Sequence, residues 1–490
     1  MRSGADLFPG VPGAPGPKAR DETAVATARG APAAATPPQA QAQRRALVTG
    51  GAALSGILVL LTGVTVETDP LAPALVKLQE IARNARLFAA LVPHVASLPV
   101  LHYAVFAWGC VLALWLVYLR LIWQVRGAQL DVRLIASGAV LLGLLAMTIP
   151  PVFSTDVFSY AAFGRLAGVY DVNPYLSTPA QGAATDPVLP YLYWRWREIS
   201  SPYGPLWTVV SELVTLGRHA TPLELVIRFK LVALAAVLAA GWLIYRLVRH
   251  RWPAQASWAY LAFAWNPMVL VEGVVTGHND VFILAIVLVS AYLLLRARPH
   301  LAFAGLMTSS LVKYSTAPLL GVTTLRLLLR TPPPRRLGLL LRLSAIAVVL
   351  LVAAFAPYWG GLDGLMSTIE EPGRGVNNPV MVAARGLVTA VTAGHVQLGV
   401  PATVVISLGA FLLWQGWALG RTGQAGAWGA HDELASWATS LTVFLLLWPR
   451  IHTWYFVVPL GLALAAGPPH RRLFGVVLVA SLLSYASYAL

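Results

Sequence analysis

The sequence predicts an all-α protein that crosses a membrane many times, on three observations. Of 490 residues, 57% are hydrophobic and only 11% are charged, against roughly 25% charged in an ordinary soluble domain. Mean hydropathy is +0.68, and so few charges cannot clothe a water-facing surface of this size. Apolar runs of about 20 residues, the length that spans a hydrocarbon core, recur from residue 46 onward with arginine beside them.

The net charge of +15 does not point to a nucleic-acid partner. It comes mostly from Arg flanking the apolar runs, where cytoplasmic loops carry positive charge. One cysteine, Cys110, inside an apolar run, excludes an internal disulfide. Arg supplies 31 of the 35 basic residues and Lys four, which singles out each Lys.

Residues 1–43 are rich in Ala, Pro, Gly and Gln without hydrophobic periodicity, and read as a disordered cytoplasmic tail. Arg44 and Arg45 then hold the N-terminal side of the first span in the cytoplasm. Residues 44–490 form the membrane domain. Its spans are expected at 46–64, 100–122, 133–151, 224–247, 256–275 and 280–295. A short hairpin over 301–330 hinges near Lys313-Tyr314-Ser315. Further spans are expected at 338–357, 401–420, 434–448, 454–467 and 472–488. The count is about thirteen. The run Leu206–Leu216 is too short to cross and reads as interfacial. Two large loops, 151–223 and 358–400, fall on the outer side, so a polar site belongs there.

Ionisable groups near membrane depth are costly and by default functional. They gather at the outer ends of the spans. Asp156 follows the third span, and Glu272, His278 and Asp280 bracket the turn after the fifth. Lys313 sits at the hinge, and Arg450 and His452 interrupt the turn Trp448-Pro449-Arg450-Ile451-His452-Thr453-Trp454. Carboxylates and aromatics for a sugar, with Arg or Lys for an anion, suit a sugar phosphate.

Particular runs carry a resemblance. Asp156-Val157-Phe158-Ser159-Tyr160, Gly164-Arg165, Asn173-Pro174-Tyr175 and Ser201-Pro202-Tyr203-Gly204-Pro205-Leu206-Trp207 resemble the first outer loop of actinobacterial polyprenol-phosphomannose-dependent α-1,6-mannosyltransferases. Asn266-Pro267, Gly277-His278-Asn279-Asp280 and Lys313 fit the same family, whose members have the GT-C glycosyltransferase fold and build the mannan of lipomannan and lipoarabinomannan. The resemblance implies a polyprenyl-phosphate-mannose donor, a lipid-linked mannan acceptor, no cofactor, and a plasma-membrane enzyme with an extracytoplasmic site. It makes Asp156 the general base of an inverting transfer. Lys313, Arg450 and Arg385 become candidates for the donor phosphate, in that order. Glu272, His278, Asp280, His452 and Tyr160 become substrate-binding positions.

Each residue has a plainer reading. Asp156 also fits a helix N-cap, Lys313 a snorkelling side chain, and Glu272, Asp280, His278 and His452 structural hydrogen bonding. No spacing demands a metal at Asp156, His278 and Asp280. Asp171, Asp186 and Glu198 read as solvated loop residues, Asn173-Pro174-Tyr175 as a turn, and Trp194, Trp196 and Trp207 as an interfacial belt in preference to a sugar platform. Two alternatives stay open: a GT-C transferase moving arabinose or glucose, and a transporter or lipid flippase. Charges at span ends and the lack of a repeat favour the enzyme over the transporter.

Overall fold

Apolar runs become helices and the polar turns between them become short irregular links. The computed structural model describes residues 37–66, 83–92, 96–151, 153–361, 376–423 and 430–485. Residues 1–36 of the expected tail and 362–375 of the second loop lie outside the described residues. The chain runs through α1 (Pro37–Thr62), β1 (Val64–Val66), β2 (Ala96–Leu98), α2 (Val100–Gln124) and α3 (Val132–Thr148). The first long loop then folds α4 (Asp156–Gly168) and α5 (Pro205–Val214). Next come α6 (Pro222–Arg251), α7 (Pro253–Ala264), a π-helical segment at Val269–Val275, α8 (Asp280–Leu295), α9 (Pro299–Val312), α10 (Ala317–Arg330) and α11 (Pro333–Phe355). The second loop contains α12 (Pro379–Val391), and after it come α13 (Val400–Gly423), α14 (Ala430–Leu447), α15 (Val457–Ala465) and α16 (Arg471–Ser484). β1 and β2 pair in parallel over three residues each.

Among the described residues, five helices are long and apolar enough to cross a membrane: Pro38–Thr62, Leu101–Gln124, Pro222–Arg251, Pro333–Tyr358 and Val400–Ala418. A sixth span results if α7 and the π-helical segment, bent by 54°, count as one broken crossing. The hydropathy reading counted thirteen. Several of its positions hold helices below the roughly 20 residues of a straight crossing, such as α3 with 17 residues and α8 with 16.

Local chemistry explains the central helix. At the start of α6, Thr221 Oγ1 accepts from Glu224 N while Glu224 Oε2 accepts from Thr221 N, with Pro222 at the first helical position. This capping box satisfies backbone donors that the helix cannot. Arg249, His250 and Arg251 close its last turn, where cations complement the helix dipole. Leu225, Phe229, Val237, Ala240 and Leu247 bury one face of α6, which packs against α3, α7, α8 and α15.

Two loop expectations are corrected. Asp186 is buried, because Arg165 Nε reaches its Oδ2 at 2.6 Å from α4. The same guanidinium donates to the Gly217 and Arg218 carbonyls, so one cation pins two distant stretches of the loop. Trp207 is not a belt residue. It lies on the buried face of α5, against Tyr160 and Phe229. Within the segment 206–216, Trp207, Thr208 and Ser211 face inward while Leu213 and Leu216 are exposed. Asn173-Pro174-Tyr175 is a turn, its Asn173 Oδ1 accepting from Tyr175 N at 3.0 Å.

Candidate functional site

Pro150 and Pro151 end α3, since neither can donate to a continuing helix. The chain restarts as α4, with Asp156 N donating to Ser154 Oγ at 3.2 Å. Thr155 is the N-cap and Asp156 the first helical residue. The capping reading of Asp156 is therefore not adopted, and its carboxylate is left for other partners.

The second wall comes from the break after α7. Asn266 Oδ1 accepts from Met268 N at 2.9 Å, and its Nδ2 donates to Tyr118 Oη at 3.1 Å. With Pro267 between them, the helix cannot continue regularly, and a π-helical turn follows, a form frequent at functional sites. Glu272 sits in that turn, fully buried. Gly277 adopts φ +73°, a left-handed conformation that suits glycine. It turns the chain so that His278 N donates back to Glu272 O at 3.2 Å.

His278 joins the two walls. Its Nδ1 lies 3.7 Å from Asp156 Oδ2 and 3.5 Å from Tyr160 Oη, and its Nε2 lies 3.8 Å from Glu272 Oε2. The imidazole stacks on Trp454, centroids 3.8 Å apart, and Trp454 stacks on His452 at 4.4 Å. Asp280, first residue of α8, takes an ion pair from Lys313 Nζ at 2.8 Å, and that ammonium also lies 4.5 Å from the Tyr455 ring centroid. A Cβ at Gly204 would collide with the Leu311 carbonyl. Glycine there lets its N–H reach Val312 O at 3.1 Å, so the Ser201–Trp207 motif docks against the Lys313 hinge. Tyr203 Oη meets Ser159 Oγ at 2.9 Å.

Exposure separates these groups. The side chains of Asp156 and Lys313 are 16% and 15% exposed, while Glu272, His278 and Asp280 are at 1% or less. Of these five, Asp156 and Lys313 present an edge to an incoming ligand. Burial pushes the Asp156 carboxyl up to about 6, against the opposing pull of Lys313, the Ser154 hydrogen bond and Arg450, with Asp280 adding to the rise. Burial holds the His278 imidazole well below its ordinary value, which keeps it neutral. A carboxylate poised near neutrality beside cations suits general-base chemistry.

The structure thus gathers Asp156, Tyr160, Glu272, His278, Asp280, Lys313, Arg450 and His452 into one layer. Arg385 is the exception. It lies half-buried on α12, which packs against α14, and among the described residues no hydrogen bond, ion pair or ring contact joins it to the cluster. No group of three or more His, Cys, Asp or Glu among the described residues converges to hold a metal. Sequence reasoning missed Trp454, Tyr455 and Tyr203. Their aromatic motifs were visible, but stacking between α4, the π-helical turn and the 448–456 turn has no local signature.

Comparison with known proteins places the chain. Residues 52–329 match the model of a family described as alpha-(1->6)-mannopyranosyltransferase, N-terminal domain. The chain belongs to that family. The match takes in Asp156, Glu272, His278, Asp280 and Lys313; Arg450, His452 and Trp454 lie beyond it. A probable alpha-(1->6)-mannopyranosyltransferase of Mycolicibacterium smegmatis is 32% identical over 151 residues, 30% of this chain and 26% of the relative. Alpha-(1->6)-mannopyranosyltransferase A of Corynebacterium glutamicum is 32% identical over 178 residues, 33% of each. The protein of that name from Mycobacterium tuberculosis is 25% identical over 389 residues, 75% of this chain and 71% of the relative. The alignments with the first two therefore span only about a quarter and a third of those mannopyranosyltransferases.

Proposed function

We propose that this chain is a multi-pass GT-C mannosyltransferase of the plasma membrane. It transfers mannose from polyprenyl-phosphate-mannose to a lipid-linked α-1,6-mannan, the backbone of lipomannan and lipoarabinomannan. The observation that carries the mechanism is the exposure of Asp156 among sealed neighbours. Glu272 and Asp280 are buried and engaged, so Asp156 is the carboxylate an acceptor hydroxyl can reach. In the reaction the acceptor oxygen bonds to the anomeric carbon as the bond from that carbon to the phosphate oxygen breaks. The hydroxyl proton passes to Asp156, and polyprenyl phosphate leaves as an anion. A phosphate leaving group needs no acid to protonate it, unlike the alcohol released in glycoside hydrolysis. It needs fixed positive charge. Arg450 comes first for that role, ahead of Lys313, whose ammonium is already shared with Asp280. A single displacement inverts the anomeric centre, so an α-linked product requires a β-linked donor.

Helix polarity supports an extracytoplasmic site. Asp280, Lys313 and the 448–452 turn lie at the ends of α8, α10 and α14 away from Arg296, Arg330 and Asp432. The Arg-rich ends, with Arg249 and Arg251 on α6, match the cytoplasmic side.

The deciding experiment is transfer by purified protein given labelled polyprenyl-phosphate mannose, arabinose or glucose and an α-1,6-mannan acceptor, with linkage analysis of the product. Mannose extension through α-1,6 bonds is expected. Transfer of arabinose or glucose instead would overturn the donor assignment, and movement of lipid-linked sugar across a vesicle without elongation would overturn the enzyme reading.

A further inference from the structure

The turn that carries Arg450 is held by residues outside the site. Asn378, 1% exposed, stands immediately before α12. Its Oδ1 accepts from Val380 N at 3.0 Å and caps that helix. Its Nδ2 donates to the carbonyls of Leu445 (3.3 Å), Leu446 (3.0 Å) and Trp448 (2.7 Å) at the C-terminal end of α14. One short side chain thus satisfies orphan groups at the start of one helix and the finish of another. Asn377 and Asn378 also donate their backbone N–H groups to Pro449 O at 3.1 and 3.0 Å, and Asn377 Oδ1 accepts from Ile451 N at 2.8 Å. The residues on both sides of Arg450 are therefore fixed by the same dipeptide.

We infer that Asn377 and Asn378 are positioning residues that hold the Trp448–His452 turn so that Arg450 meets the anionic group of the substrate. The inference rests on the assignment of Arg450 to the donor phosphate. The chemistry demanded of the two positions differs. Position 378 needs an acceptor and two donors on one short arm, which Asn supplies and Asp does not. An Asp there would also set a negative charge against the carbonyl end of α14. Position 377 uses only its side-chain acceptor, which Asp keeps.

The same substitution at adjacent positions is therefore the test. Full-length protein carrying Asn377→Asp, Asn377→Ala or Asn378→Asp is compared by hydrogen exchange across residues 446–453 and by steady-state transfer from polyprenyl-phosphate-mannose. Asn378→Asp and Asn377→Ala are expected to speed exchange in that peptide and raise donor KM roughly tenfold, the effect of about one lost hydrogen bond on binding, with kcat nearly unchanged. Asn377→Asp, which keeps that acceptor, is expected to leave exchange in that peptide at the parental rate. Asn378 acting only as an N-cap predicts that Asp serves equally well there, and parental exchange and KM in Asn378→Asp would overturn the inference. Faster exchange with unaltered donor KM would overturn the link to Arg450. Faster exchange in a protein that uses no polyprenyl-phosphate sugar would support the clamp and overturn the donor reading instead.

Discussion

Lys313 Nζ and Asp280 Oδ2 lie 2.8 Å apart, the cation at 15% exposure and the carboxylate at 1%. The pair lends little net charge to the site, and each member depends on the other. Removing one partner of a buried pair typically costs about 3–5 kcal/mol, whereas replacing both with apolar groups is often neutral. Asp280→Ala should accordingly lower thermal stability in detergent sharply, and the double change Lys313→Met with Asp280→Leu should recover most of it. A double variant that melts as low as the sum of its singles would show that the two side chains are not coupled.

Asp156→Asn keeps the shape of the side chain and removes its basicity. Transfer should fall by about 10² to 10⁴, the usual contribution of a positioned base, while donor binding survives. Asp156→Glu should also be weak, because the carboxylate moves by one methylene. Single-turnover transfer and donor titration measure both, and substantial turnover by a folded Asn variant removes Asp156 from the chemistry.

The raised carboxyl of Asp156 sets a pH dependence. A base works only when ionised, so kcat/KM should decline below about pH 6. Arg450 lowers that value, so Arg450→Gln should move the acid limb to higher pH. The stability linkage has the opposite sense. A carboxyl raised from 3.8 to about 6 binds its proton more tightly when folded, so its stabilising contribution is lost as pH rises between those values. Asp156→Asn should therefore melt no lower than the parent at pH 7. A rate flat down to pH 5 would contradict the assignment.

The Arg165–Asp186 pair holds the first long loop. Asp186→Ala should destabilise by about 3–5 kcal/mol, while the exposed Glu198→Ala should stay within about 0.5 kcal/mol. Thermal unfolding distinguishes them, and equal melting would mean the loop is held elsewhere.

Sidedness is open to cysteine labelling after Cys110 is replaced. Thr185→Cys, exposed in the first loop, should react with an impermeant maleimide in intact cells, and His250→Cys, exposed at the end of α6, should not. The reverse pattern would invert the topology.

Composition by itself determined that the chain is helical and built from apolar spans, because a chain with so few charges has only lipid or its own interior to face. It also singled out Asp156, Glu272, His278, Asp280, Lys313, Arg450 and His452, since each ionisable group in an apolar chain stands out by its cost. Tertiary structure alone decided what those groups do to one another. It matched Lys313 with Asp280 across 33 residues and Asp186 with Arg165 across 21. It buried Trp207, left Arg385 apart, and set Asn378 between helix ends 67 residues away. Hydropathy reports whether a segment prefers lipid to water, a property each segment has alone. Ion pairs, ring stacks and shared caps depend on which segments come to lie side by side, and that emerges only when the whole chain is packed.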